Sequence, residues 1–328
     1  MKSAIIIPVA SGKGGVGKSV VTANLAMALA QAGHSTVAID LDLGGSNLYS
    51  LLEVDNVHPG IADYLNIRKS GPLSDYLVPT GFSNLQFLPG DSRMAFMANI
   101  PHLQKVKLLK EIRAIEADYI LLDLGAGTTF NTLDFFGLSN HGLVVTTFEK
   151  PSVLNTLSFL KNFMFRFILQ EAKSDKAAVA LLNKAYKAST IAQPLLIGNI
   201  IELLENKNQI LAAEIEKKCR AFHPRIIFNK GNSSGDLDIL NSVDKAIKST
   251  LSLDACYFGF IFFDDHVEQS IRANRALMAY SPEGIASKSI SSIAQRIIKH
   301  GENFIVDSIH LLREDTEAKE VHWKTINE

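Results

Sequence analysis

The sequence predicts a doubly wound α/β fold, with a mainly parallel sheet flanked by helices on both faces. Apolar runs of strand length recur along the 328 residues, and helical patterns lie between them. Runs that are apolar on both faces suit parallel strands covered by helices on each side. A glycine-rich loop follows the first run directly, and one segment, about residues 159–222, breaks the alternation with helical patterns alone. We therefore expect a single α/β domain that carries a helical insertion.

Seven apolar runs are predicted as strands: 4–10, 36–41, 85–88, 119–122, 142–147, 225–228 and 257–263. Residues 20–32 and 103–115 have helical spacing, and a last helix is expected over 285–312, bent near Gly301. Residues 313–328 are mixed in charge and are expected to be frayed. These elements predict one domain over residues 1–313, an insertion at about 159–222 and a C-terminal tail at 314–328.

The composition is that of an ordinary globular protein and excludes several classes of function. Hydrophobic residues make up 47% of the chain and the formal net charge is -1, so no global basic field draws it to nucleic acid. Cys219 and Cys256 are the two cysteines, which argues against a disulfide framework or a paired-cysteine metal motif. The run at 4–10 is too short for a signal sequence, and no run approaches a membrane span. We expect a cytoplasmic protein.

The loop after the first strand matches the phosphate-binding pattern G-x-x-x-x-G-K-[ST]. It consists of Gly12, Lys13, Gly14, Gly15, Val16, Gly17, Lys18 and Ser19, with Val20 next. Glycines let backbone N–H groups turn inward around a phosphate, assisted by the positive end of the following helix. Lys18 is expected to neutralise the β- and γ-phosphates, and the Ser19 hydroxyl to bind Mg²⁺. A strand before the loop and a helix after it are the context that this motif requires.

Acidic residues end two further strands. Asp40 and Asp42 close the run at 36–41, and alternation places both on one face at the ligand edge of the sheet. Asp123 closes the run at 119–122 and fits the acidic residue that holds Mg²⁺ through water. Gly125 and Gly127 follow it and suit a loop that senses the γ-phosphate.

The second lysine of the loop makes the chain resemble one family. The core K-G-G-V-G-K-S is similar to the variant Walker A signature of the MinD/ParA class of P-loop ATPases. The resemblance implies that Lys13 reaches across a dimer to the partner's nucleotide and that Asp42 positions the attacking water. Asn229, at the end of a late strand, matches the family's contact to the base. Asn232 stands where GTPases carry the guanine-reading aspartate, so we expect ATP with Mg²⁺ as cofactors.

The resemblance covers about residues 1–160 and 223–300 and is MinD-like, including the flagellar-number regulator FlhG. The segment at 159–222 has no counterpart that the resemblance supplies. We expect neither the extra N-terminal segment of FlhG nor the Lys- and Phe-rich membrane tip of MinD. The cellular role is therefore open at this point.

Three functions fit these residues. The first is a slow, partner-stimulated ATPase that dimerises with ATP and places a cellular structure such as a division site, flagellum, chromosome or large complex. The resemblance then implies a homodimer, an activating protein and a peripheral contact with the inner membrane, with no nucleic acid indicated. The second is delivery of a metal or iron–sulfur cluster, and the third is a scaffold that no longer hydrolyses ATP. The presence of Lys13, Lys18, Ser19, Asp42 and Asp123 argues against the scaffold.

Overall fold

The computed structural model describes residues 4–66, 71–90, 100–189 and 196–327. Residues 190–195 of the expected insertion therefore lie outside the described residues.

The strands are β1 (Ile5–Ala10), β2 (Thr36–Leu41), β3 (Val78–Pro79), β4 (Leu85–Leu88), β5 (Tyr119–Leu124), β6 (Leu143–Thr146), β7 (Arg225–Gly231) and β8 (Cys256–Phe262). The helices are α1 (Lys18–Gln31), α2 (Leu48–Leu51), α3 (Ile61–Asn66), α4 (His102–Ala114), α5 (Phe130–Phe136), α6 (Lys150–Glu171), α7 (Lys176–Ala188), α8 (Ile197–Glu205), α9 (Gln209–Arg220), α10 (Leu240–Leu251), α11 (Asp265–Arg272), α12 (Leu277–Tyr280), α13 (Ile285–His300) and α14 (Ser308–Asn327). Short 3₁₀ helices lie at Leu73–Tyr76 and Ser234–Ile239.

The strands form one sheet in the order β3-β4-β2-β5-β1-β6-β7-β8. All neighbouring strands are parallel except β3 and β4. The predicted fold class and all seven predicted strands are confirmed. The two-residue strand β3 was missed because it is too short to show an alternating pattern.

Hydrophobic clusters cover both faces of the sheet, as doubly wound folds require. One cluster joins α1 and α13 to residues such as Val9 and Leu121. The other joins α4–α6, α8–α10 and α14 to the opposite side chains, including Ile39 and Leu122. Alternate residues of one strand thus pack into different clusters, one on each face of the sheet. The side chains at the carboxyl ends of the strands are the ones left to form a site.

Four helices, α6–α9, connect β6 to β7, and the first begins earlier than the sequence suggested. The expected start near Phe159 lies inside α6, which begins at Lys150 with Pro151 in its first turn. Proline in that position is a helix-start signal that the apolar pattern did not show. The apolar series that includes Ile197, Ile215 and Phe222 is buried in the core cluster, so one face of the insertion packs onto the domain.

The expectation for the C-terminal region was wrong in two respects. The last helix is two helices, since α13 stops at Gly301, whose φ of 53° leaves the helical region. Residues 314–327 are helical rather than frayed, and the predicted boundary at 313/314 falls within α14. Leu312 and Thr316 are buried against the domain, and Arg296 bridges to Asp315 at 3.1 Å, which explains why this segment is ordered. Within the described ranges, no helix has the length and apolar content to cross a bilayer.

Candidate nucleotide site

The phosphate loop lies between the end of β1 at Ala10 and the start of α1 at Lys18. Gly15 and Gly17 have φ values of 82° and 89°, in the region that favours glycine. A Cβ atom at Gly17 would also lie 2.3 Å from Asn229 Nδ2. Glycine at position 17 is therefore favoured by the backbone conformation, and a larger residue would also displace the Asn229 amide on β7.

Lys18 and Asp123 form a buried ion pair beneath this loop. Lys18 Nζ lies 2.7 Å from Asp123 Oδ1, and the two side chains are 7% and 0% exposed. Lys18 Nζ also lies 3.3 Å from Ser19 Oγ, and Thr22 Oγ1 donates to the same Asp123 oxygen at 3.0 Å. Sequence reasoning missed Thr22, although its position one turn after Lys18 on α1 is a usable signal.

The second carboxylate oxygen of Asp123 is left without a partner. Among the described residues no hydrogen bond reaches Oδ2, although the atom is buried. Buried polar atoms are normally satisfied, and an unsatisfied acceptor fits a water molecule held on a hard cation. The donor set at this point, carboxylate and hydroxyl oxygens, is what Mg²⁺ prefers.

Asp40 stands beside Asp123 in the sheet and braces the following loop. The two residues are register partners on β2 and β5, and Asp40 is fully buried. Asp40 accepts hydrogen bonds from Ser46 Oγ at 2.7 Å, Leu48 N at 3.1 Å and Asp42 N at 3.0 Å. Burial, and then the nearby charge of Asp123, raise the pKa of Asp40 to about 6. Asp40 thus holds the backbone that presents Asp42.

Asp42 and the turn after β5 face each other across the site. A Cβ atom at Gly125 would lie 3.3 Å from Asp42 Oδ1. The turn ends at α5, whose start is capped by Thr129 Oγ1 accepting from Thr132 N at 3.2 Å. A carboxylate on one side and a glycine-rich turn on the other is an arrangement able to hold and sense a terminal phosphate group.

A cavity of about 580 Å³ opens above the loop, within the range of small-molecule sites. Several predicted site residues line it: Gly14, Gly15, Gly17, Lys18, Ser19, Val20, Asp42 and Asn229. Gly12, Lys13, Val16 and Asp123 do not line it. Phe263, Asp264 and Val267, at the start of α11, form the wall opposite the loop.

The residues at the end of β7 contact the phosphate loop itself. Asn229 Nδ2 donates to Val16 O at 2.8 Å, and Lys230 Nζ approaches Gly15 O at 3.3 Å. Lys230 has a φ of 61°, so the strand turns sharply beside the loop. The side-chain amide of Asn229, which the resemblance assigned to the base, thus binds the loop backbone in this structure. Lys230 is an additional contact to the loop that the sequence did not predict.

The other side of the loop lies against α6. A Cβ atom at Gly12 would meet the backbone oxygen of Asn155 at 2.2 Å, so only glycine permits this approach. Lys13, the next residue, is exposed. A hydrogen bond from Thr147, and in smaller part the charges of Lys230 and Lys13, hold the pKa of Glu149 below its usual range. The two lysines of the loop therefore occupy opposite environments, Lys18 buried and Lys13 open to solvent.

The chain is similar to known proteins over much of its length. A ParA family model, described as an NUBPL iron-transfer P-loop NTPase, matches residues 2–165, which is half of the chain. The septum site-determining protein MinD of Helicobacter pylori is 32% identical over 217 residues, covering 65% of this chain and 74% of the relative. The chain belongs to the MinD/ParA class of P-loop ATPases. It accordingly binds ATP and Mg²⁺ and hydrolyses ATP.

Two further proteins are similar to this chain. The flagellum site-determining protein YlxH of Helicobacter pylori is 26% identical and covers 68% of this chain and 78% of its own length. An iron–sulfur cluster carrier protein of Saccharolobus solfataricus is 32% identical over 162 residues, covering 48% and 53%.

Solved MinD structures share the fold. MinD of Pyrococcus horikoshii with Mg-ADP has a TM-score of 0.57, 20% identity, and covers 90% of this chain and 96% of that one. The MinC:MinD complex of Aquifex aeolicus has a TM-score of 0.58, 21% identity, and covers 93% and 99%.

Proposed function

We propose that this chain is an ATP-dependent dimerisation switch that helps to place a cellular structure such as a division site or a flagellum. The observation that carries the proposal is the contrast between its two loop lysines. Lys18 is buried on Asp123, whereas Lys13 is exposed and has no ion pair with any described carboxylate. An exposed cation beside a phosphate site is available to a second molecule, as an arginine finger is. The similarity to a septum site-determining and a flagellum site-determining protein supports the placement role.

We propose a distinct role for each of the site residues. The loop from Gly12 to Ser19, with Val20, surrounds the phosphates, and Lys18 leaves Asp123 to neutralise them. Ser19, Asp42 and Asp123 hold Mg²⁺, partly through water, and the orphaned Oδ2 of Asp123 supports this assignment. When bound, Mg²⁺ neutralises charge on the phosphate oxygens. Asp42 orients the attacking water, and Asn229 exchanges its bond to Val16 O for one to the base.

Closure of a dimer requires that ATP bind the closed form more tightly than the open form. The γ-phosphate meeting the partner copy's Lys13 would supply that difference. The sheet, its flanking helices and the insertion are proposed to act together as one ATPase domain. An activating protein and a peripheral membrane contact complete the proposal, supported by the likeness to MinD in its complex with MinC and by the MinD relatives. Sedimentation with liposomes tests the membrane contact, which is wrong if ATP does not increase the bound fraction.

Molar mass measured by light scattering tests the switch. With Mg-ATP the mass is expected to double, and most completely in Asp42→Ala, because slowed hydrolysis keeps the closed form. Mg-ADP and nucleotide-free samples are expected to stay monomeric, and Lys13→Ala is expected to remain monomeric with ATP. A molar mass that does not change with nucleotide in any variant would refute the dimerisation switch.

Delivery of an iron–sulfur cluster is the second candidate, favoured by the family description and by the carrier protein among the relatives. The cysteines of this chain do not favour it. Cys219 and Cys256 are both buried, and burial raises the pKa of the Cys219 thiol to about 12, which disfavours the thiolate that binds iron. Within the described residues no group of three or more His, Cys, Asp or Glu could hold a metal. The iron content of the protein after anaerobic purification tests cluster delivery, since stoichiometric iron would establish this function.

A further inference from the structure

A second cavity, of about 580 Å³, lies in the helical insertion, away from the nucleotide. It is bounded by α8, α9 and the turn that joins α10 to β8. Its floor is apolar, formed by Ile197, Ile201, Cys219 and Leu253, all of which are buried. Ser252 forms the turn with a φ of 51°. The volume is sufficient for a few side chains of a bound segment.

The rim of this cavity is acidic. Glu202 and Glu205 project from successive positions of the exposed face of α8, and Glu216 and Asp254 stand on the other sides. Arg220 is the one cation among the lining residues, and it is bound to Glu216 at 2.7 Å. Neither Glu202 nor Glu205 forms an ion pair with a described residue. Asp254 lies 3.9 Å from Lys248 Nζ, so Glu202 and Glu205 are the two rim carboxylates whose charge no described cation compensates. They stand beside the apolar floor.

The cavity opens at the edge of the sheet opposite the phosphate loop. Asp254 precedes β8 by two residues, whereas the phosphate loop follows β1, and β1, β6, β7 and β8 are parallel. The amino ends of the strands thus face the cavity and the carboxyl ends face the nucleotide. A molecule in the second cavity would leave the nucleotide site and its exposed Lys13 free.

We propose that this groove binds a basic, amphipathic segment of a partner protein, with an apolar side chain on the floor and lysines or arginines against the rim. Charge complementarity selects a cationic occupant, and the four buried floor residues select one that also carries apolar side chains. The insertion thereby serves as a docking module. The proposal does not depend on ATP-driven dimerisation.

Binding of a short fluorescein-labelled peptide of alternating lysine and leucine, followed by anisotropy without nucleotide, tests this docking. Glu202→Gln/Glu205→Gln is expected to weaken binding about fivefold, since each exposed ion pair contributes a fraction of the free energy of a tenfold change. The matched control is Glu314→Gln/Glu317→Gln, which removes an equally spaced, exposed pair from α14 and is expected to leave binding unchanged. A peptide with serine in place of leucine is expected to bind more weakly than the leucine peptide.

Three outcomes would overturn the proposal. Equal weakening in both double variants would show general attraction to an acidic surface. Equal affinity of the serine and leucine peptides would show that the apolar floor takes no part. Displacement of the peptide by spermine at matched charge concentration would identify a small polycation as the occupant. Because no nucleotide is present, none of these results depends on whether the dimerisation switch is correct.

Discussion

The nucleotide site and the helices that pack on the sheet obtain their structure in different ways. At the carboxyl edge of the strands, the site depends on a few atoms, namely those of glycines with positive φ and of the buried pair of Lys18 and Asp123. By contrast, α14 and the insertion are held by apolar side chains that pack against the domain, such as Leu312 and Ile215. The site is sensitive to single atoms, and the helices respond to lost packing. Substitutions separate these two kinds of dependence.

The largest expected effect is that of Lys18→Met at the nucleotide edge. Hydrolysis should fall by about a hundredfold or more, because the cation proposed to neutralise the phosphates is lost. The nucleotide-free protein should also lose about 3 kcal/mol of unfolding free energy, since Asp123 is left buried and unpaired. Steady-state phosphate release and urea unfolding measure the two effects.

Lys13→Met is the control for that substitution, because Lys13 is exposed. It should reduce hydrolysis without changing the urea midpoint. Equal loss of stability in both variants would contradict the assignment of Lys18 as the buried partner of Asp123.

Leu312→Ala addresses the helices that pack on the sheet. Leu312 is fully buried on α14, so its truncation should cost about 3 kcal/mol of unfolding free energy. Leu311 on the same helix is 45% exposed, and Leu311→Ala should cost about 0.5 kcal/mol or less. ATP affinity should be unchanged in both. Similar unfolding curves for the two variants would mean that α14 does not dock as described.

Gly17→Ala should destabilise the phosphate loop by about 2 kcal/mol, because an alanine at this φ is strained and its Cβ meets Asn229 Nδ2. Nucleotide affinity should fall with it, as measured by calorimetric titration. Gly14→Ala is the matched control for stability, since nothing lies within 4 Å of its added Cβ. The prediction fails if the two alanines have equal effects on thermal unfolding.

The smallest expected effect concerns the titration of Asp40. Its pKa is about 6 in the folded chain against an ordinary 3.8, so the folded state holds this proton more tightly. The contribution of Asp40 to stability therefore falls as the pH rises from about 4 to about 6. Asp123→Asn should lower the pKa of Asp40, because a neighbouring negative charge is removed, and carboxyl ¹³C shifts would report it.

Asp42→Asn provides the comparison for that titration. Only the backbone N–H of Asp42 contacts Asp40, so this variant should leave the Asp40 titration unchanged. An Asp40 pKa that is the same in wild type and Asp123→Asn would show that the adjacent charge contributes nothing.

The contrast between the two regions also explains what could be predicted from sequence. The apolar runs and the loop from Gly12 to Ser19 are local patterns, and they predicted seven strands, the fold class and the phosphate site. The order of residues after Arg313 depends on contacts with Asp238 and with the 3₁₀ segment near Ser234, far away in sequence, and no local pattern contains them. Lys230 was missed for the same reason, since it contacts Gly15 O in another segment. Thr22 differs, because its spacing from Lys18 on α1 is a local signal.

The contact between Gly12 and Asn155 places α6 directly against the phosphate loop. This helix has 22 residues, so it is about 33 Å long. Its first turns touch the phosphate loop through backbone atoms, with no flexible side chain between them, and its other end leads directly into α7. The last residue of α6, Glu171, pairs with Lys218 of α9, one of the helices that line the acidic groove. A single helix therefore contacts the phosphate loop near one end and the groove-forming helices at the other.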